Sequence, residues 1–489
     1  MRCWKIASAA LACACAAGCR TTQDVLRDYE IALSTGQYGA PVEESAGLAA
    51  KKDGSQLLWQ LLAGGALYMA DDRNRAIAMF DAAEDAMAAN DRTSVFARAG
   101  EGTLAMMTND RVFDYDGGGQ DRVFTCLYKA IDFMALGNRA GARTELNRAA
   151  QHQENWLWER RKDIAAAARR LESDAAAYAR QQQVQLPAGR AQQTAGILAD
   201  SSFRGQVRSA CGFDPAVSGN LQALAPKDYM NVYASHVTGV FRWLAGDPAR
   251  NCLKDAATLR PDNAVAARDF AEIERGGKPA NQVWIYAEDG LCPSREEWRV
   301  DLPLALLPYV RRYVLYAGMA LPRLRERAHG AISWSVAAGG QNVPMAPLAD
   351  VDALVKTEYD VYMRGALTRE ITRTIVKVGV QVALGVAADA AERRHARKGK
   401  SQGDALALRL AQIGVATWAM TTTAADLRSW TALPKTVKVA RVDRPADGRL
   451  EVAADGQRIQ LEVPPGNTMV FLRKPGPSAY PVVKMATFP

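Results

Sequence analysis

The spacing of apolar and small residues changes period several times along the chain, and each change marks a new element. Between Leu57 and Asn90 the repeat is helical. Gly64 and Leu67 fall on one helix, Asp71-Asp72-Arg73-Asn74 makes a turn, and Ala76, Phe80 and Ala83 fall on the next. Small residues let the two helices approach, and Phe80 fills the space between them. The same order returns from Val123 to Trp156, with Ala130 and Phe133, a turn at Leu136-Gly137-Asn138, then Ala142, Leu146 and Ala149. It returns again from Met230 to Asn263, with Val237 and Val240, a turn at Gly246-Asp247-Pro248, then Ala249, Leu253, Ala256 and a terminating Pro261. Three hairpins of fixed internal spacing predict a helical-repeat region over 19–276. The copies are not tandem: an Ala/Arg helix from about Glu159 to Arg180 and a Gln-, Pro- and Gly-bearing linker over about 181–196 separate the second from the third.

After Gly276-Gly277 the period becomes two. Val283-Trp284-Ile285-Tyr286, Asp289-Gly290 and Trp298-Arg299-Val300-Asp301-Leu302 predict a β-hairpin. Tyr313 to Tyr316 and Ile332 to Val336 add strands, so 277–354 is expected to form a small sheet. Helices return from Val355 to about Ala391 and from Ala405 to Ser429. They predict a long hairpin over 355–430, joined by a basic loop, Arg393 to Lys400. Lys377 and Gln381 interrupt the apolar stretch from Ile371 to Ala388, which argues against a membrane span. Its stripe, Ile371, Ile375, Val378 and Val382, is expected to bury against Leu406, Leu410, Ile413 and Thr417. Short strands from Val437 to Leu472, punctuated by Asp447-Gly448, Asp455-Gly456 and Pro464-Pro465-Gly466, predict a compact β-module over 431–489. The expected fold class is mainly α: helical hairpins, a mid-chain β-hairpin or small sheet, a long helical hairpin and a small C-terminal β-module.

Composition supports packed helices. Of 489 residues 48% are hydrophobic, 23% charged and 7% aromatic, which excludes wholesale disorder and a polytopic membrane protein. The first residues carry an address. Arg2 and Lys5 precede an apolar run from Ile6 to Ala17 that has the layout of a secretory signal, over residues 1–18, and is too short to span a bilayer. Ala16-Ala17-Gly18-Cys19 resembles the lipobox of bacterial lipoproteins. That resemblance implies lipidation of Cys19 by palmitate-type chains, sorting to the outer membrane because Arg20 is not aspartate, and a lipid-anchored protein facing the periplasm. The net charge of +8 is mild, and export excludes nucleic acid as a partner.

Chemistry is sparse. Gly399-Lys400-Ser401 has Arg394 where a phosphate loop needs glycine, and His-Glu-x-x-His and Ser-x-x-Lys do not occur. His152, His236, His329 and His395 are isolated, and His236 is expected to be packed or solvated. Glu288 and Asp289 point to opposite faces of a strand, so turn chemistry is the reading given to them. The run from Arg393 to Lys400 is expected to be a solvated loop, with contact to anionic lipid or polysaccharide phosphate as the alternative. Cys126, Cys211, Cys252 and Cys292 lack zinc spacing, so neither metal nor cofactor is expected. Four thiols allow three pairings, or burial as free thiols. The pair Cys211–Cys252, flanking one helical hairpin, is the expected disulfide.

The three hairpins resemble tetratricopeptide repeats, in degenerate form because the expected Trp and Gly of the first helix are mostly replaced. In the order of its features the chain resembles a family of uncharacterised tetratricopeptide-like bacterial outer-membrane lipoproteins. The likeness is carried by Asp228-Tyr229 to Asn263, by Trp284 to Leu302 with Glu288-Asp289-Gly290, and by Ala425-Asp426-Leu427-Arg428-Ser429-Trp430-Thr431-Ala432-Leu433-Pro434. It implies an envelope protein whose relatives sometimes sit beside activators of penicillin-binding proteins, and it implies no reaction. The expected function is therefore non-enzymatic: an envelope scaffold or adaptor that binds another envelope protein through its repeats. Tyr229, Asn231 and Tyr233 are the candidate contacts, with packing inside the hairpin as their other reading. The alternatives are a subunit of a surface-assembly or secretion complex, and an enzyme acting on peptidoglycan or polysaccharide.

Overall fold

The structure is a computed structural model that describes residues 21–96, 110–112, 114–181, 190–302, 312–327, 332–398 and 403–489. The signal segment, Cys19, most of the Gln-rich linker and the tip of the basic loop lie outside the described residues. The chain is mainly helical with several sheets.

Helices α1 (Thr22–Ser34) and α2 (Gly39–Ala49) precede the first hairpin, α3 (Gln56–Met69) and α4 (Arg73–Phe96). Its spacing residues behave as the pattern requires: Ala76, Phe80 and Ala83 are fully buried, and a Cβ on Gly64 would stand 2.5 Å from the Phe80 ring. The second hairpin is α5 (Gly119–Ala135) and α6 (Arg139–Gln181). Here the Ala/Arg helix expected as a separate element is the continuation of α6, because no breaker lies between Trp156 and Glu159. Helices α7 (Arg190–Ala199) and α8 (Ser201–Cys211) follow. The third hairpin is α9 (Val232–Ala245) and α10 (Arg250–Leu259), extended by α11 (Ala264–Glu274). Gly246 ends α9 at φ +76°, a left-handed cap that a side chain would strain, and Pro248 prevents continuation.

The strands correct two expectations. β1 (Gln282–Asp289) and β2 (Ser294–Asp301) do not pair with each other. β1 lies at the centre of a five-stranded sheet between β10 (Asn467–Lys474), which is parallel to it, and β7 (Thr436–Asp443), which is antiparallel. β11 (Val482–Phe488) and β6 (Ala346–Asp350) form the edges. All eight residues of β1 are buried, the signature of a strand covered on both faces, and both its hydrogen-bonding edges are taken by distant strands. After Asp289 the Gly290 N–H donates to Lys474 and the Cys292 N–H to Leu433, which leads β2 away to pair with β3 (Gly318–Arg325).

The C-terminal strands do not make a module of their own. β7, β10 and β11 complete the central sheet. β8 (Arg449–Ala454) and β9 (Gln457–Glu462) join β4 (Trp334–Ala338) and β5 (Gln341–Pro344) in a four-stranded sheet. Tyr313 to Tyr316 is not a strand; the Gln381 amide holds it, accepting from the N–H groups of Leu315 and Tyr316 and donating to the Tyr316 carbonyl.

Three layers result. The helical hairpins cover one face of the central sheet, where Trp284, Tyr286, Phe471 and Phe488 meet Phe80, Phe124, Tyr128 and Phe241 in one core. The four-stranded sheet covers the other face through Val283, Ile285, Val470 and Leu472. A second core joins α7, α8, β2, β3 and the first half of α12 (Val351–Lys398), where Ile371, Ile375 and Val378 bury. The partner helix α13 (Gly403–Thr422) is rotated from its expected setting: Ala405, Gln412, Ala416 and Ala419 face inward, while Leu406, Leu410 and Ile413 are more than half exposed. Small residues allow a closer approach to α12 than the leucines would. Residues from Thr423 onward leave the helix because Trp430 runs into the first core, with its ring centroid 5.7 Å from that of Phe80.

Candidate functional site

The inner face of the helical hairpins is where a repeat protein would receive a ligand, and here the central sheet fills it. Glu288, on β1, is the hub of that contact. Its carboxylate accepts the Tyr233 hydroxyl of α9 at 2.7 Å and the Tyr128 hydroxyl of α5 at 2.9 Å, and the Arg473 guanidinium of β10 stands 3.5 Å away. Tyr68 of α3 stacks on Tyr128 with centroids 4.1 Å apart, so all three hairpins converge there. Burial pushes the Glu288 carboxyl above its ordinary range, opposed by Arg473 and the two phenols. Both phenols are held far above theirs by burial and by Glu288, which keeps them as donors. Beside them Lys484 of β11 pairs with Asp132, lies 3.3 Å from Asp71 and sits 4.1 Å above the Tyr68 ring. Burial pushes Asp132 up to about 6 despite Lys484.

A second hub joins α9, α11 and the sheet. His236 places Nδ1 at 2.9 Å from the Tyr286 hydroxyl and Nε2 at 3.0 Å from Asp269. Asp269 also accepts from Trp284 Nε1 at 2.9 Å and from Arg441 at 2.6 Å. A hydroxyl, imidazole and carboxylate in sequence resemble a nucleophile relay. Tyr286, His236 and Asp269 are nevertheless all fully buried, and the Asp269 charge is engaged by Arg441, so no substrate reaches the hydroxyl. The network joins layers and is not placed to act on a ligand. Glu288 and Asp289 take opposite sides of β1 as expected, but they close a central strand and do not form a turn: Asp289 accepts the Thr436 hydroxyl and lies 3.3 Å from Lys438.

Among the described residues one trio offers metal-ligand atoms: those of Glu84, Cys126 and Glu145 lie within 4.8 Å of one another. The Lys129 ammonium already occupies the position of a cation there, 2.7 Å from Glu84, 2.7 Å from Asp81 and 3.1 Å from Glu145. Burial and the neighbouring acids push the Cys126 thiol far up, away from the thiolate a metal needs. The trio is an ion-pair cluster around a buried lysine.

The sequence-level contact residues are placed differently from expectation. Asn231 is fully buried and caps α9 by accepting the Ala234 N–H; its amide donates to Gln120 and its own N–H to Gln153. Tyr233 is fully buried on Glu288, so neither residue faces a groove. Asn immediately before a run of helical period is itself an N-cap signal, and it identifies Asn231 from sequence. Tyr229 alone keeps partial exposure, stacked on Trp156 with centroids 5.3 Å apart.

The proposed disulfide is not formed. Cys211 sits in the second core with Phe203 and Val207, while Cys252 accepts from Arg242 at 3.4 Å, and both are free thiols. The two cysteines flank one hairpin in sequence, but Cys211 is buried in the second core while Cys252 is partly exposed on α10.

A surface hollow of about 340 Å³ lies between α11, the β4–β5 turn and β7, lined by Arg268, Gln341, Arg441, Asp443 and Arg444 among others. Two of its arginines are engaged elsewhere, Arg441 by Asp269 and Glu272, Arg444 by the carbonyls of Val463 and Pro464. Hubs of this kind were invisible in the sequence because their members come from elements up to about 400 residues apart; the local signal was the unbroken apolar run from Val283 to Ala287 just before Glu288.

Comparison of the chain with models of protein families, with curated proteins and with solved structures finds no match.

Proposed function

We propose that the protein is a lipid-anchored adaptor of the bacterial cell envelope, held at the outer membrane through Cys19 and binding another envelope protein through its helical region. On this reading the hairpins are degenerate tetratricopeptide-like repeats whose inner face serves the chain itself and whose outer faces serve a partner. The observation that carries it is the occupation of that inner face by the central sheet, fixed at Glu288 by Tyr128 and Tyr233. A ligand cannot enter there without dismantling the core. Trp158, 65% exposed on α6, and the partly exposed Tyr229 stacked on Trp156 are the aromatic positions on the helical side that this reading assigns to the partner.

The test replaces Trp158 or Tyr229 by a photoreactive phenylalanine analogue in cells, with Thr144 as an exposed control on the same helix. A discrete protein adduct from the first two positions and none from Thr144 is the expected result. Irradiated envelopes with no adduct at Trp158 or Tyr229 overturn this surface. Membrane release of a Cys19→Ser variant under salt washing tests the anchor separately.

A further inference from the structure

Among the described residues, exposed large apolar side chains concentrate on one part of the molecule. Leu315, Val386, Leu406, Leu410, Ile413 and Met420 are each 46 to 62% exposed, and all belong to the α12–α13 hairpin or the segment laid along it. On α13 the intervals from Leu406 through Leu410, Ile413 and Thr417 to Met420 trace one stripe. Between Leu406 and Thr421 every exposed position is Leu, Ala, Ile, Gly, Thr or Met. A continuous uncovered patch of this kind marks a contact surface.

We propose that this hairpin lies in the interface of an anionic lipid bilayer, with the outer face of α13 among the acyl chains and the adjoining basic run at the headgroups. Two observations select lipid over a second copy of the chain. First, charge: at the hairpin tip Arg393 and Arg394 are exposed, and of the two exposed acids described there, Glu392 and Asp404, Glu392 lies 3.4 Å from Arg409 of α13 and is offset by it. An apolar face bordered by arginines fits anionic headgroups, whereas a copy of the same basic surface repels it.

Second, the polar groups beside the stripe are bonded within the hairpin. Asp389 pairs with Arg409 and accepts the Tyr313 hydroxyl at 2.6 Å; Gln412 donates to the Tyr313 carbonyl at 2.6 Å. Thr421, Thr422 and Thr423 donate back to carbonyls of Thr417, Trp418 and Ala419. Such internal pairing suits a medium that offers no hydrogen bonds.

The depth follows from length. Leu406 to Met420 spans about 21 Å at 1.5 Å per residue, short of a hydrocarbon core of about 30 Å. Although α12 is long and apolar enough to cross a membrane, 56% of its apolar window is buried inside the protein. The hairpin therefore lies along the surface. This contact is separate from the acyl anchor and from partner binding.

The test is flotation of the exported chain carrying Cys19→Ser with vesicles of phosphatidylcholine, alone or mixed with phosphatidylglycerol. The expected result is capture by the mixed vesicles. Leu406→Gln/Leu410→Gln/Ile413→Gln should lower that capture by about tenfold or more, with an unchanged thermal midpoint because these side chains are already exposed. Arg393→Glu/Arg394→Glu should weaken capture only on the mixed vesicles. Equal capture of parent and triple variant overturns the proposal, as does failure of the parent to bind. A parent that forms a dimer, lost in the triple variant, with no vesicle capture by either, assigns the face to a second copy and also overturns it.

Discussion

The Tyr233 hydroxyl donates to the Glu288 carboxylate at 2.7 Å, and that bond couples the third helical hairpin to the central strand of the sheet. Both residues are buried, so what looks in sequence like a repeat-surface tyrosine is a structural donor to an internal acid. Removing it leaves a buried carboxylate with one phenol fewer, and burial already disfavours its charge.

Tyr233→Phe is accordingly expected to lower unfolding stability by about 1–3 kcal/mol, the cost of an unsatisfied buried acceptor. Tyr233→Ala should cost about 3–5 kcal/mol because a cavity is added. Urea unfolding followed by circular dichroism measures both. Equal stability of the three proteins would remove Glu288 from the role given to it.

Gly64 and Phe80 form a packing pair whose coupling can be measured. A Cβ at Gly64 meets the Phe80 ring at 2.5 Å, so Gly64→Ala should destabilise by about 1–3 kcal/mol. Phe80→Leu alone also destabilises, by leaving space. The double variant should lose less than the sum of the two single losses, and strict additivity in the double-mutant cycle would contradict the contact.

Lys484 and Asp132 give a pH signature. Burial raises the Asp132 pKa in the folded state to about 6, above an unfolded value of about 3.9. The folded protein therefore holds this proton more tightly than the unfolded chain, and the contribution of Asp132 to stability falls as pH rises from about 4 to about 6. Lys484→Met removes the opposing cation and leaves a buried carboxylate, at an expected cost of about 3–5 kcal/mol at pH 7.5. That cost should shrink as pH is lowered towards 5, where Asp132 takes up a proton. Thermal midpoints of parent and variant across this range test it, and a pH-independent difference would rule out Asp132 as the group left behind.

The cysteines should behave as four independent thiols beyond Cys19. Alkylation in denaturant without reductant is expected to label Cys126, Cys211, Cys252 and Cys292 completely, with mass spectrometry as the readout. In the native protein Cys252, which is partly exposed, should react first, and the buried Cys126 and Cys292, whose thiols burial pushes far up, last. An unlabelled Cys211–Cys252 peptide pair would show that this disulfide forms.

The sequence by itself determined the local elements and much of what they bury. Small residues three and four apart, with Phe80 or Leu253 opposite, specify helix pairs, because backbone approach and volume filling are decided within about thirty residues. Gly246 and Pro248 likewise fix where α9 must stop. Pairing of strands was decided only by the tertiary structure. Asp289-Gly290 between two β-forming runs is a sound local signal for a hairpin, but the eight buried residues of β1 need partners on both edges and cover on both faces. β7 and β10 supply the edges from 147 or more residues away, and burial of that strand outweighs the turn. The same non-local burial took Tyr233 inward and turned Leu406, Leu410 and Ile413 outward, since a helical period fixes which residues share a face but not which face the rest of the chain will cover.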